Sequence, residues 1–237
     1  MVSQQTVTAI NKNKKLNKSM GQLNWKIKSC LIVFSFLIGI QESNAQILIG
    51  PNVGLNWGIF SFGNTQALTL NKALLGPSLG AIVEIPIYGI LSVRAEPSYI
   101  QKGSDFTVDN SLPLETKVYP QYLQIPVELQ ANLPMTIFTP HVFLGPNVGF
   151  LLSGKGQWIS AFDPEPEFDV KNIIKNIDFG MDFGAGLDFS ITPLIKANID
   201  FKYSLGLPNI LKPGAGTTLL TAYTHGYQVL VGVLFTI

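Results

Sequence analysis

From Gln46 to the C-terminus the apolar residues recur with a period of two rather than 3.6, the signature of strands whose two faces meet different surroundings. Between Tyr122 and Gln130, residues Leu123, Ile125, Val127 and Leu129 share one face, and Gln124, Pro126, Glu128 and Gln130 share the other. The run from Ile177 to Phe189 is more regular still. Ile177, Phe179, Met181, Phe183, Ala185, Leu187 and Phe189 lie on one side, and Asp178, Gly180, Asp182, Gly184, Gly186 and Asp188 on the other. Wound into a helix, this order would spread aspartates all round the cylinder.

The pattern predicts eight strands, near 47–60, 76–88, 90–104, 119–132, 137–153, 176–191, 193–207 and 223–237. Tight turns follow the second, fourth and sixth, at Tyr88-Gly89, Leu133-Pro134-Met135 and Thr192-Pro193. Longer loops follow the others, at 61–75, 105–118, 154–175 and 208–222. This short-long alternation is the layout of an outer-membrane barrel, with short periplasmic turns and long external loops. The expected fold is therefore all-β: an eight-stranded antiparallel up-and-down transmembrane β-barrel with both termini in the periplasm.

A soluble eight-stranded barrel also alternates, so the chemistry of the two faces has to decide. One face carries bulk, as at Phe179, Phe183, Phe201 and Val231; the other carries glycines and charges. A narrow barrel has little interior room, so the small and polar face belongs inside and the bulky face against lipid. The expected polar lumen comprises Glu84, Arg94, Glu96, Glu128, Asp178, Asp182, Asp188, Lys196, Asp200 and Lys202. Burying these charges requires ion networks, expected around Arg94, Lys196 and Lys202. A plugged lumen is the expected consequence, and a small cation-selective channel the alternative. Aromatics near strand ends, among them Trp57, Phe60, Tyr88, Tyr122, Phe138, Tyr203 and Tyr227, read as headgroup girdles.

Composition fits a membrane protein. The chain is 46% hydrophobic and 13% charged, against about a quarter charged in ordinary domains. No apolar run in the body reaches the ~20 residues of a spanning helix. Residues 1–45 read as a leader. Lys26 and Lys28 precede an apolar run from Cys30 to Ile40, and Ser43-Asn44-Ala45 offers small residues for cleavage before Gln46. Met20 would open a leader of ordinary length and is the expected true start. Beyond the leader the chain has 10 basic and 14 acidic residues, a net charge of −4, which excludes a basic nucleic-acid surface. Cys30 is the sole cysteine, so residues 46–237 carry no disulfide, thiol chemistry or cysteine-based metal site.

The order of several short segments resembles the PorT-like outer-membrane β-barrel family of Bacteroidota. They are Gly50-Pro-Asn-Val-Gly-Leu-Asn56, Glu96-Pro-Ser-Tyr-Ile-Gln-Lys-Gly103, Tyr122-Leu-Gln-Ile-Pro-Val127, Gly145-Pro-Asn-Val-Gly149, Asp178-Phe-Gly180 with Gly184-Ala-Gly186, and Tyr203-Ser-Leu-Gly-Leu-Pro-Asn209. The resemblance spans essentially 46–237 and implies outer-membrane residence and an eight-stranded barrel. It implies no shared activity, although one branch is linked to type IX secretion and gliding. Such barrels often end on an aromatic residue; this chain ends Phe235-Thr236-Ile237.

Chemistry finds little footing. A nucleophilic set could be drawn from Ser98, His141 and Asp182, but no spacing singles it out, and His141 reads as a polar strand-end residue. The other histidine, His225, has lipid-face parity. Four carboxylates in Asp163-Pro-Glu-Pro-Glu-Phe-Asp169 could in principle hold Ca²⁺, but two prolines extend the segment and it reads as a solvated acidic loop. Lys212-Pro-Gly-Ala-Gly-Thr-Thr218 lacks the ending of a phosphate loop. The expectation is a non-enzymatic barrel without cofactor or metal. It contacts outer-membrane lipid through its wall and a protein partner through its loops, and its oligomeric state is left open.

Overall fold

The computed structural model describes residues 46–63, 68–108, 114–159, 167–212 and 221–237. The leader, its cleavage point, Met20, Asp163, Glu165 and the glycine-rich segment after Lys212 lie outside the described residues. Thirteen strands form in chain order: β1 (Leu48–Gly63), β2 (Leu68–Tyr88), β3 (Leu91–Ala95), β4 (Ser98–Gln101), β5 (Ser104–Val108), β6 (Leu114–Val118), β7 (Gln121–Asn132), β8 (Phe138–Ser153), β9 (Lys155–Ile159), β10 (Phe168–Asp169), β11 (Ile177–Thr192), β12 (Ile195–Gly206) and β13 (Thr221–Thr236).

These strands build a closed antiparallel ring of eight staves. The order is β1, β2, β3 with β4, β7, β8, β11, β12 and β13, and β13 returns to β1. Closure removes the open edges that a flat sheet would expose. Val53 of β1 stands opposite Val231 on one side and Leu79 on the other. The third stave breaks at Glu96-Pro97, where proline has no N–H to give. The Glu96 amide still donates to the Pro126 carbonyl, and the Pro97 carbonyl accepts from Ala81, so the ladder carries across the break. At the opposite end of β3, Gly89 takes φ +56° in the turn from β2, a left-handed conformation that favours glycine. Ile47 and Ile237 exchange backbone hydrogen bonds of 3.2 and 2.9 Å, which fastens the two ends of the folded segment together. The three tight turns lie at this same terminus end.

At the other end the sequence reading needs correction. Much of 61–75 and 105–118, and shorter parts of 154–175, are strand rather than loop. The first residues of β2 leave β1 and pair with β5; β5 pairs with β6, β6 with β9, and β9 with β10. A five-stranded extension thus stands on the ring. These segments are short and interrupted by charges such as Lys72, Asp105 and Lys117, so their alternation was too brief to separate from loop.

The inner face is layered. Leu48, Ile82 and Leu234 form an apolar cluster near the terminus end. Polar and charged side chains fill the middle. At the extension end Phe60, Val118, Val170, Ile174, Ile210 and Ala222 form a second apolar cluster. The outer wall exposes Val53, Leu79, Phe179 and Phe201, each about half accessible. Bulk is outside and charge inside, which excludes the reversed faces of a soluble carrier barrel.

Candidate functional site

The middle of the lumen is a lattice of charged side chains supplied by staves on opposite sides of the ring. Alternation places each one: Arg94 and Glu96 follow Ser92 on the inward parity of the third stave, as Asp200 and Lys202 follow Asn198 on β12. Arg94 is fully buried. Its Nη2 donates to Glu96 Oε2 at 2.9 Å and to Asp200 Oδ2, and its Nη1 donates to Gln130 Oε1 at 3.4 Å. Lys202 Nζ stands 3.0 Å from both Glu96 Oε2 and Glu128 Oε1. Phe143 lies between the two cations, with Arg94 5.2 Å and Lys202 5.4 Å from its ring centre. Buried charges are tolerated when they are paired, and each carboxylate here faces a cation: Glu96 and Asp200 through hydrogen bonds, and Glu128 through its ion pairs with Lys202 and Arg94. Asn52 Nδ2 donates to the second oxygen of Glu96 at 2.9 Å.

Smaller groups extend the lattice in both directions along the axis. His141 Nε2 is 2.8 Å from Asp200 Oδ1, and its Nδ1 is 3.7 Å from Asp188. Asn198 Nδ2 bridges Asp188 at 2.9 Å and Asp200 at 3.1 Å. Glu84 accepts from Ser92 Oγ at 2.7 Å and from Asn132 Nδ2 at 3.1 Å. Toward the extension, Asp182 accepts from Gln124 and Asn147, and Asp178 accepts from Lys102 Nζ at 3.1 Å and Thr224 Oγ1 at 2.9 Å. Lys102 Nζ also sits 5.0 Å over the ring of Tyr122.

Nine of the ten residues expected in the lumen are buried there, while Lys196 is half-buried near the terminus end of β12 and is no hub of the lattice. Lys102 takes a hub position that the sequence reading missed, although it shares inward parity with Glu96. Phe60 and Tyr122, read as girdle aromatics, are buried inside. Tyr88 and Phe138 do face outward at the terminus end, and Tyr203 packs against Tyr227 on the outer wall with ring centres 4.9 Å apart and planes tilted by 39°.

The polar partners of His141 among the described residues are Asp200 and Asp188, whereas Asp182 is held by Gln124 and Asn147. The structure therefore does not assemble Ser98, His141 and Asp182 into a nucleophilic set. No cluster of three or more His, Cys, Asp or Glu among the described residues is arranged to hold a metal ion.

A family model described as outer membrane protein beta-barrel domain matches residues 41–212. Among solved structures, the chain is similar to Neisserial surface protein A at 10% identity, covering 83% of this chain and 100% of that one with a TM-score of 0.46. It is similar to OprG from Pseudomonas aeruginosa at 13% identity, covering 84% and 99% with a TM-score of 0.47. It is also similar to Ail, the attachment invasion locus protein of Yersinia pestis, at 11% identity, covering 81% and 99% with a TM-score of 0.41. No curated protein matches the sequence.

Proposed function

We propose, from the premise that this chain belongs to the outer membrane protein beta-barrel domain family, that it is an integral outer-membrane barrel that works by contact rather than by passage. Its lumen is a plug, its extension faces the cell exterior as the contact surface, and its termini lie in the periplasm after removal of the leader. It performs no catalysis. The partner is a protein or a surface component. The PorT-like resemblance gives the reading its finer form, an accessory contact to a secretion machine in Bacteroidota.

One observation carries this reading. Arg94, Glu96, Glu128, Asp200 and Lys202 are each at most 1% exposed and mutually paired, so the charged middle of the lumen is occupied by side chains rather than by a water column. Eight staves leave room only for side chains. The charges that could suggest a cation path are spent on one another. The strands, meanwhile, run past the ring into an open sheet, a natural place for contact on a rigid support.

The absence of cysteine from 46–237 allows a clean topology test. Lys72→Cys lies exposed in the extension and Tyr88→Cys is exposed at the terminus end. A membrane-impermeant maleimide on intact cells should label the first, and the second only after lysis. Purified protein in a planar bilayer should give no conductance at high load. Reversed labelling would overturn the orientation, and steady single-channel steps would overturn the plug.

A further inference from the structure

The apolar cluster at the extension end lines a half-open cavity of about 400 Å³. Its wall includes Phe60, Phe106, Val118, Trp158, Ile174 and Ile210, and among the described residues its only polar lining residue is Thr116. This is unusual placement. The same inward parity that carries Asn52 and Asn56 lower on β1 carries Phe60 above them. A lumen end meant only to meet water would continue the polar pattern. The sequence instead turns its inner face apolar on several staves at one height. Cavities of this size are typical of small-molecule sites, and apolar ones exclude water in favour of apolar guests.

The floor of the chamber is built by two segments clamped together. Lys175 N donates to the Ile210 carbonyl at 2.7 Å, Lys212 N donates to the Ile173 carbonyl at 2.8 Å, and Ile174 bridges Leu211. Three of the five lining residues on these segments are followed by a cation: Val170 by Lys171, Ile174 by Lys175, and Leu211 by Lys212. Lys175 Nζ donates to the Asn209 carbonyl at 2.6 Å, which keeps that ammonium beside the second segment. Lys212 Nζ reaches back to the Lys171 carbonyl at 2.6 Å, which brings its ammonium over the first segment. An apolar chamber with a cationic margin suits one kind of guest, an alkyl chain bearing an anionic head.

We infer that this chamber binds a single-chain anionic amphiphile, of the long-chain carboxylate class, taken up from solution at the extension end. The alkyl chain lies among Phe60, Phe106, Val118 and Ile210, and the carboxylate lies at Lys171, Lys175 and Lys212. The inference goes beyond the contact role and holds whichever side of the membrane the extension faces.

Trp158 provides a reporter at the site: it lines the cavity and packs against Phe168, with ring centres 4.6 Å apart and planes tilted by 30°. The probe is a fatty acid brominated along its chain, titrated against the folded protein in nanodiscs while tryptophan emission is read. The titration uses a Trp57→Phe background, which removes the tryptophan of the barrel wall; saturable quenching is expected there, and it should vanish when Trp158→Phe is added. Ala222→Leu and Ile174→Phe, which fill the chamber, should weaken apparent affinity about tenfold or more, with the heat-dependent gel shift confirming that each variant is folded. The uncharged brominated alkane should bind more weakly than the carboxylate. Three results would overturn the inference: no saturable quenching, quenching unchanged in both folded filling variants, or equal binding of alkane and carboxylate. Equal quenching from brominated nanodisc phospholipid, with no fatty acid added, would also overturn it by assigning the chamber to membrane lipid.

Discussion

Lys202 Nζ and Glu96 Oε2, 106 positions apart in sequence, meet at 3.0 Å across the lumen. Lys202 stands on the seventh stave and Glu96 on the third, which are diametrically opposite in a ring of eight. Arg94 and Asp200 join the same two staves. The barrel is therefore braced through its centre as well as round its wall, and the braces are charges whose loss would leave partners buried.

Lys202→Met tests the brace. The substitution keeps most of the volume but removes the closer of the two cations at Glu128 and leaves Glu96 and Glu128 sharing Arg94 alone. Breaking a buried pair costs about 3–5 kcal/mol, and the urea midpoint of the gel-shifted folded form should fall accordingly. Adding Glu96→Gln and Glu128→Gln should recover part of that loss, because uncharged amides have less to lose by burial. Equal midpoints for the wild type and Lys202→Met would mean that the lattice does not brace the barrel.

Glycine marks where the wall comes close to the lattice. A Cβ on Gly186 would overlap Asp200 Oδ1 and stand 2.5 Å from His141 Nε2 and 2.6 Å from the Ile199 carbonyl. Gly186→Ala should therefore part His141 from Asp200, at an overpacking cost of about 1–3 kcal/mol. Gly149→Ala is the matched control, since its nearest neighbour is the Tyr122 ring at 3.4 Å, an ordinary contact. Parallel urea titrations should separate the two, and equal midpoints would refute the packing argument.

The ring was legible because a period of two repeats itself over long staves. Ile177 to Phe189 needs no partner to show which residues face the same way. Strand number and the burial of Glu96, Asp182 and Asp200 follow from that parity and from the narrowness of eight staves. Pairing across the lumen was not legible, because parity says which residues point inward but not at what height they meet. That is why Lys196 was expected at a hub and Lys102, which pairs with Asp178 toward the extension, was not. Phe60 and Tyr122 were misplaced for a different reason. An aromatic near a strand end suggests a girdle by type, while their parity with Asn56 and Gln124 points inward; parity decides.

The outer wall predicts its own sensitivity. Val231, 47% exposed, lies between Val53 on β1 and Ile199 on β12, surrounded by apolar neighbours on the outside. Val231→Arg should cost about 2–4 kcal/mol of folding into vesicles if this band meets hydrocarbon. Arginine at Lys72, in the extension, should cost nothing measurable. Both are read as the folded fraction on unboiled gels; tolerance of Val231→Arg would remove the wall from the lipid.

In the extension, Glu167 ties β9 to the start of β10. Lys155 Nζ donates to Glu167 Oε2 at 2.7 Å, and Tyr119 Oη donates to Oε1 at 2.7 Å. The hydrogen bonds from Lys155 and then Tyr119 hold the Glu167 carboxyl below its ordinary value of 4.5. Its contribution is thus present above pH 4.5 and is lost as pH falls through the lowered value. The same hydrogen bond raises the Lys155 ammonium above 10.5, so that contribution is complete below 10.5 and fades as pH rises through the raised value. Burial, and then the Glu167 hydrogen bond, push the Tyr119 hydroxyl up to about 12, which places its loss on the alkaline side as well. Because all three groups are at or near the surface, salt should weaken the tie. Trp158 packs against Phe168 beside Glu167, so its emission should report release of β10 in acid and again in strong alkali. Glu167→Gln should flatten the acid limb and move the alkaline limb down. An acid limb unchanged by Glu167→Gln would mean that another carboxylate controls the release.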